Sequence, residues 1–241
     1  MIILDPSNWR VTQTQNKGRG VEAIKPILPG MVIGDYLGRI ISIDDDSDEN
    51  GLYGMCWSDE FCILPEREKE GIHLLNHSCM PNCGLYPYEG HMLFVSLRKI
   101  FSGEELTVSY MVEPGEDKGG WYTCYCHTPL CTGTMMTTKT HAKAFWDDFV
   151  RPKQGNYKDI PPAAMGDMLV PLKSYPKKVA DNPVYDLFGN ANVPPAIYRG
   201  RAPLSISNAR HMIRETGACI VDEMRNTRIL GIREGVFVII K

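Results

Sequence analysis

The fold of this chain is organised around one stretch, Asn76-His77-Ser78-Cys79-Met80-Pro81-Asn82. An adjacent amide and imidazole offer hydrogen-bond donors and acceptors that suit a polar ligand. Pro81 and Asn82 favour a turn directly after the pair. A buried and internally satisfied His–Asn pair is the commoner explanation of such a stretch on its own, so it is interpreted together with two other stretches.

Residues 103–110 read Gly-Glu-Glu-Leu-Thr-Val-Ser-Tyr. The segment from Glu105 to Tyr110 has the composition of a strand. A tyrosine at the end of a strand is most often part of a core or an interface. Here a polar, glycine-rich segment follows from Glu113 to Gly120, where the chain is expected to open onto a cleft, so Tyr110 is a candidate functional residue.

Three of the eight cysteines lie within eight residues, in Cys124-Tyr125-Cys126-His127-Thr128-Pro129-Leu130-Cys131. A structural zinc ion takes four ligands in a tetrahedron. The fourth ligand is either the adjacent His127 or the more distant Cys79. Closely spaced thiols without a metal are prone to oxidation, so zinc binding is favoured over a group of reactive or buried cysteines.

The composition excludes several classes of protein. With 26 basic and 29 acidic residues the net charge is -3, which gives no global attraction to nucleic acid or to an anionic membrane. No apolar run is long enough for a transmembrane helix, and residues 1–10 lack the pattern of a secretory signal. The sequence therefore predicts an intracellular protein with no membrane association, no evident sequence-specific nucleic-acid binding, and thiols rather than disulfides.

Short segments rich in β formers are separated by turns along the first half of the chain, which predicts a mainly β fold of the β-rich α+β type. The predicted strands are Trp9–Thr14, Val21–Ile24, one within 31–43, a pair within 53–64, His91–Leu97 and Glu105–Tyr110. Residues 152–195 are proline-rich, which favours irregular backbone. Beyond them the sequence predicts a helix that ends at Gly217 and strands at 218–223 and 236–240, with Gly231 and Gly235 breaking the pattern between the strands.

Taken in order, these stretches resemble the SET domain of protein lysine methyltransferases, followed by its post-SET cysteine motif. Two family motifs are present in full, Asn-His-Ser-Cys-x-Pro-Asn at 76–82 and Gly-Glu-Glu-Leu-Thr-x-x-Tyr at 103–110. Gly18-Arg19-Gly20-Val21 resembles the N-terminal glycine motif. Asp35-Tyr36-Leu37-Gly38-Arg39 resembles the Glu-Tyr-x-Gly-Glu segment, and the cysteines at 124, 126 and 131 have the post-SET spacing.

The resemblance implies a fold of small curved sheets with a C-terminal pseudoknot. It divides the chain into a SET domain at 8–112, a post-SET zinc-binding segment at 113–136 and a C-terminal extension at 137–241. The extension is proline-rich and then forms a small α+β unit. It matches no family, and its expected roles are substrate orientation or association into a homo-oligomer.

The implied activity is transfer of a methyl group from S-adenosyl-L-methionine (AdoMet) to the ε-amine of a protein lysine. A histone tail or nucleosome is the expected substrate, which would place a eukaryotic protein in the nucleus or on chromatin. A non-histone protein substrate is one alternative. The other is a catalytically silent SET module that acts as a binding domain.

The same resemblance assigns roles to residues of this sequence. It implies that the backbone around Lys17, Gly18, Arg19 and Gly20, together with Asn76 and His77, binds AdoMet. It further implies that Tyr110 is the catalytic tyrosine and that Tyr36 lines the channel for the target lysine. The implied zinc ligands are Cys79, Cys124, Cys126 and Cys131, which leaves His127 free.

Two positions depart from the family pattern. His73 occupies the place of the usual arginine before the Asn-His motif, and Val108 occupies the place of a Phe/Tyr residue that affects the degree of methylation. Mono-, di- and trimethylation are therefore not distinguished by that rule. Tyr86 is a candidate for the missing aromatic.

Overall fold

The computed structural model describes four small β-sheets over a large part of the chain. The described residues are 1–45, 53–56, 61–79, 81–97, 99–112, 120, 122–128, 131–136, 164–179, 196–198, 208, 220–222, 228–233 and 236–240. The strands of the first part are β1 (Trp9–Thr14), β2 (Gly18–Ala23), β3 (Val32–Asp35), β4 (Arg39–Ser42), β5 (Met55–Cys56), β6 (Phe61–Leu64), β7 (Asn76–His77), β8 (Cys83–Tyr88), β9 (His91–Ser96) and β10 (Glu105–Val108). Short 3-10 helices occupy Pro6–Asn8, Ile43–Asp45 and Ile72–Leu74. The predicted mainly β fold is confirmed.

One four-stranded sheet, in the order β1-β2-β10-β7, brings the two main sequence motifs together. β10 lies antiparallel to β2 and parallel to β7, with Thr107 opposite Asn76 and Val108 opposite His77. The later strand β10 is thus inserted between two earlier ones. This order agrees with the SET fold, while threading of the following segment through a loop stays a prediction.

Two further sheets have three strands each, in the orders β3-β9-β8 and β4-β6-β5. The hairpin β8–β9 pairs six residues on each strand, but the sequence analysis predicted only β9. The chain from β3 to β4 passes through Tyr36, so this residue lies where the two three-stranded sheets meet. β10 ends at Val108, two residues earlier than predicted, so Tyr110 follows the strand.

The buried apolar residues of the described part form two clusters. The larger one joins residues from most strands and includes Val21, Tyr36, Ile72 and Leu106. The smaller one contains Val32, Tyr86, Leu93, Val95 and Val179. Burial of aliphatic and aromatic side chains is the main force that stabilises such a fold.

A separate four-stranded sheet lies in the C-terminal extension. It comprises β11 (Ala196–Tyr198), β12 (Ile220–Asp222), β13 (Arg228–Arg233) and β14 (Val236–Ile240), in that order. The prediction of a strand at 236–240 is confirmed, and the described part of the 218–223 prediction is strand as well. The predicted break at Gly231 is wrong, because β13 continues through this glycine and pairs it with Val238.

Other predictions for the extension fall largely outside the described residues. The predicted helix that ends at Gly217 is described only at Asn208, which is helical. Within the proline-rich segment, residues 164–179 are described and lack regular secondary structure. No helix in the described part of the chain is long and apolar enough to cross a membrane.

Candidate functional site

The side chain of Asn76 connects three elements of the four-stranded sheet. Its Nδ2 atom donates to the Arg19 carbonyl at 3.1 Å and to Glu105 Oε1 at 2.8 Å, and lies 3.3 Å from Thr14 Oγ1. The first two partners can only accept, so they fix the orientation of the amide. Among the described residues, no group donates to Asn76 Oδ1. This oxygen is therefore an available acceptor beside the β1–β2 turn.

Glu105 also forms an ion pair with Lys17, the first of the predicted cofactor-binding residues. Its Oε2 atom lies 2.5 Å from Lys17 Nζ, and both side chains are largely shielded from solvent. Gly20 packs against the same group: a Cβ atom there would lie 2.8 Å from Asn76 Nδ2 and 2.9 Å from Glu105 Oε1. Only glycine fits this position without displacing its neighbours. Gly18 lies in the left-handed region, with φ of 74°, where glycine is favoured.

His77 is buried, and its ring orders the chain at Tyr110. The backbone N–H of Tyr110 donates to His77 Nδ1 at 3.2 Å, so Nδ1 is the unprotonated nitrogen. Burial lowers the pKa of His77 to about 4, so the ring is neutral near pH 7. A neutral ring with a fixed tautomer serves here as a hydrogen-bond acceptor rather than as an acid.

Tyr110 packs edge-on against His77, with ring centroids 5.4 Å apart. Its hydroxyl donates to the Leu75 carbonyl at 3.1 Å. Burial of the hydroxyl raises the pKa of Tyr110, and the nearby Tyr53 raises it further. The phenol therefore keeps its proton near pH 7 and acts as a neutral dipole. The next residue, Met111, has φ of 54°, a strained conformation of the kind found at functional sites.

Tyr36 and Tyr53 complete an aromatic group beside Tyr110. The Tyr36 ring is buried and stacks on Phe94 at 5.8 Å, and its hydroxyl donates to the Tyr53 carbonyl. The sequence analysis did not single out Tyr53. It precedes a two-residue strand and belongs to no motif, so its proximity to Tyr110 became visible only from the fold.

The two departures from the family pattern lie close to this group. Val108 is buried in the larger core cluster. His73 contacts the Tyr53 ring edge-on at 5.9 Å, and burial lowers the pKa of His73 to about 4. The suggested replacement aromatic, Tyr86, packs in the smaller cluster with Val32 and not with Tyr36 and Tyr110.

Four cysteine thiols converge near His77. The Sγ atoms of Cys79, Cys124, Cys126 and Cys131 all lie within 4.8 Å of one another, and those of Cys79 and Cys124 are 3.7 Å apart. A tetrahedral zinc ion with Zn–S bonds of about 2.3 Å separates its sulfur ligands by about 3.8 Å. The cluster therefore has the dimensions and the donor type of a metal site. His127 is exposed and is not part of it.

The ionisation of these thiols also fits a cation. A hydrogen bond from Cys79 lowers the pKa of Cys126 to about 3, and the same interaction raises the pKa of Cys79. Burial raises the pKa of Cys124 to about 12. Without a metal, Cys126 is thus the thiol that most readily loses its proton, while Cys79 and Cys124 keep theirs. A divalent cation would stabilise several thiolates together.

Residues 18–111 match the family model of the SET domain. This range includes Tyr36, Asn76, His77 and Tyr110, and ends before the cysteines at 124, 126 and 131. Over residues 18–111 the chain is thus similar to the SET domain.

Curated relatives carry consistent names. The H3 lysine-36 specific histone-lysine N-methyltransferase of Cryptococcus neoformans is 30% identical over 145 residues, which are 54% of this chain and 17% of that protein. Histone-lysine N-methyltransferase ash1 of Drosophila melanogaster is 28% identical over 137 residues, 51% of this chain and 6% of that protein. Histone-lysine N-methyltransferase Su(var)3-9 of Drosophila melanogaster is 30% identical over 121 residues; the match covers 42% of this chain and 19% of that protein. The matched region is less than a fifth of each of these relatives.

Proposed function

We propose that this chain is a protein-lysine N-methyltransferase that transfers a methyl group from AdoMet to the ε-amine of a lysine, with a histone as substrate. The SET domain and the relatives named histone-lysine N-methyltransferases support the reaction class. The observation that carries the proposal is the contact between the Asn76–His77 strand and Tyr110, whose backbone N–H donates to His77 Nδ1 and whose ring packs on the His77 ring. We propose that Tyr110, with Tyr36 and Tyr53, forms the wall of a lysine site next to a polar cofactor site.

The proposed cofactor site comprises Lys17, Gly18, Arg19, Gly20, Asn76 and His77. AdoMet supplies an electrophilic methyl group on a sulfonium. The available Oδ1 of Asn76 suits a cationic donor such as an amino-acid ammonium group. Because Glu105 neutralises Lys17, the β1–β2 turn would contact the cofactor mainly through its backbone, for which the absence of a side chain at Gly18 leaves room.

The proposed lysine site is lined by Tyr36, Tyr53 and Tyr110. Methyl transfer requires a neutral amine, whereas a lysine in water has a pKa near ~10.4. An aromatic, water-poor cavity lowers that pKa because it disfavours the charged form. Tyr110 keeps its own proton, so its hydroxyl would orient the amine and stabilise developing charge rather than remove the proton. The amine proton would therefore be lost to solvent before transfer.

We further propose that Cys79, Cys124, Cys126 and Cys131 hold one structural zinc ion. Cys79 lies two residues after His77, so the ion would join the segment 122–136 to the site. With all four positions taken by sulfur, the metal has no open coordination site for catalysis. Its proposed contribution is to hold one wall of the lysine site in place.

Chromatin is the proposed place of action, because a histone substrate would be found there. A non-histone protein substrate remains the alternative, and self-association through residues 137–241 remains a prediction that light scattering of the full chain can test. These proposals concern the chain as a whole, whereas the sequence matches involve about half of it.

Labelled AdoMet tests the proposal directly. The full chain is incubated with core histones and, in parallel, with a whole-cell extract, and Tyr110→Phe serves as the blank. We expect label on a histone that is absent with the variant. Label confined to the extract would replace histone by another protein substrate. AdoMet binding without any label would favour the silent binding module, and no AdoMet binding would reject the enzyme.

A further inference from the structure

A segment outside the SET match lies against the β4 edge of the domain. We call residues 164–179 the strap. The backbone N–H of Ile40 donates to the Asp167 carbonyl at 2.9 Å, and that of Leu169 donates to the Gly38 carbonyl at 2.8 Å. β4 is an edge strand of its sheet, and the strap satisfies backbone groups that would otherwise be open.

The other end of the strap covers a second edge. The N–H of Val32 donates to the Lys177 carbonyl at 3.1 Å, and the N–H of Val179 donates to the Gly30 carbonyl at 3.0 Å. The strand concerned, β3, is again at the edge of its sheet. The Val179 side chain is buried in the smaller core cluster. The strap therefore contacts the chain on both sides of Tyr36, which lies between β3 and β4.

One strap side chain reaches a fully buried carboxylate. The Tyr175 hydroxyl donates to Asp35 Oδ2 at 2.7 Å, and His91 Nδ1 lies 2.7 Å from the same oxygen. Asp35 has no exposed surface, and within the described part of the chain its Oδ1 atom has no hydrogen-bond partner. A buried carboxylate with few partners depends strongly on each of them. Tyr175 thus provides one of the two side-chain hydrogen bonds that the described residues make to this carboxylate.

Asp35 is directly connected to the proposed lysine site. Tyr36 is the next residue, and its N–H donates to the carbonyl of Met92, which follows His91. The Tyr36 hydroxyl then donates to the Tyr53 carbonyl. A shift of Asp35 would therefore move Tyr36 and, through it, the backbone of Tyr53.

We propose that Tyr175 is a positioning residue for the lysine site: its hydroxyl fixes Asp35 and thereby the placement of Tyr36. The strap is then a working part of the catalytic unit, although it lies about 50 residues beyond the SET match. This inference rests on the proposed function, because Tyr36 has its role only if the chain binds a lysine there. Tyr175 itself touches neither substrate nor cofactor.

The test is Tyr175→Phe in the full chain, which removes the hydroxyl and keeps the packed ring. We expect kcat/KM for the protein substrate to fall about tenfold, the value of one hydrogen bond to a charged group. The Kd for AdoMet should stay unchanged, because the hydrogen bonds between the strap and the described SET residues go to β3, β4 and their flanking residues rather than to the proposed cofactor residues. Ser174→Ala is the matched control: it removes an exposed hydroxyl from the neighbouring position and should leave both constants unchanged.

One further measurement decides the inference if Tyr175→Phe lowers stability. In the Asp35→Ala background, Tyr175→Phe should change kcat/KM by less than about twofold, since its effect is transmitted through Asp35. The same tenfold loss in both backgrounds would overturn the inference, and so would a wild-type kcat/KM in Tyr175→Phe. An active wild type with an unaffected variant rejects this inference alone, whereas an inactive wild type rejects the proposed function as well.

Discussion

The strand-borne half of the candidate site and the cysteine cluster are held together in different ways. Asn76 and His77 lie on β7, beside β10; the Asn76 side chain is fixed by partners on neighbouring strands, and the His77 ring by the N–H of Tyr110, just after β10. The cysteines at 124, 126 and 131 lie on a segment whose described residues form no strand, and which is tied by a few backbone hydrogen bonds such as that from Cys124 N–H to the Gly133 carbonyl at 3.0 Å. Packing and hydrogen bonds can therefore position Asn76 and His77, whereas the position of the cysteine segment depends on what its thiols bind.

The two halves of the site should therefore respond to different changes. Changes in hydrogen bonding should alter cofactor binding at the strand-borne half and leave the fold intact. Loss of a metal should disorder the cysteine segment and leave the strands intact.

Metal removal should have the largest effect. Purified protein should contain one zinc ion per chain by elemental analysis, and a chelator should release it. Structural zinc contributes about 10 kcal/mol in small zinc domains, so residues 122–136 should become sensitive to protease and methyl transfer should be lost. The far-ultraviolet circular dichroism of the β-sheets should persist. Added zinc should restore activity. Purified active protein that contains no metal would contradict the proposed four-cysteine zinc site.

Tyr110→Phe should lower kcat by about 100-fold or more, the size expected when one polar group that stabilises a transition state is removed. The variant should keep its fold and its AdoMet affinity, because its ring still packs on His77. Steady-state kinetics and calorimetric titration with AdoMet test the two statements. Wild-type turnover in this variant would contradict the assignment of Tyr110.

Glu105→Gln should weaken AdoMet binding about tenfold. Lys17 would attract the new amide oxygen, which turns the amide nitrogen toward Asn76 Nδ2 and disturbs the orientation of the Asn76 amide. Glu22→Gln is the matched control, since Glu22 lies opposite Glu105 in register and pairs with the exposed Arg10. The control should bind AdoMet normally, and equal affinity of the two variants would argue against the Asn76 network.

His73→Phe should have the smallest effect, confined to acidic pH. The pKa of His73 is about 4 in the folded protein and about 6.5 when unfolded, so between these values only the unfolded chain takes up the proton. Stability is therefore complete above pH 6.5 and falls as the pH is lowered toward 4. The variant should lose less stability than the wild type over this range, because the contribution of His73 to the pH dependence is removed. Denaturant unfolding at several pH values tests this prediction. If the free energy of unfolding falls equally with pH in the variant and in the wild type, the prediction is contradicted.

The sequence could predict those parts of the site that are carried by motifs. The Asn76–His77 pair and Tyr110 meet because parallel pairing of β7 and β10 joins the two longest motifs, and the four cysteines converge as the resemblance implied. Mainly β structure followed from the local composition. A strand of only two residues such as β7 has no periodicity to detect, so its partner could not be deduced from its own sequence.

The remaining features depend on contacts between distant segments. Tyr53 joins the aromatic group through the meeting of separate sheets, and Tyr175 reaches Asp35 across 140 residues of sequence. The strap binds mainly through its backbone and contains prolines, so its composition indicates irregular chain and no partner. At Gly231 the local sequence led to the wrong prediction. Glycine weakens a strand, but pairing of β13 with β14 keeps this residue in the strand.

Lysine methylation itself can be observed by peptide mapping with mass spectrometry, after a protein substrate is incubated with the full chain and AdoMet. We expect added methyl groups on lysine side chains, present with the wild type and absent with Tyr110→Phe. Methylation of a different side chain, or an unmodified substrate from a protein that binds AdoMet and retains its zinc, would contradict this expectation.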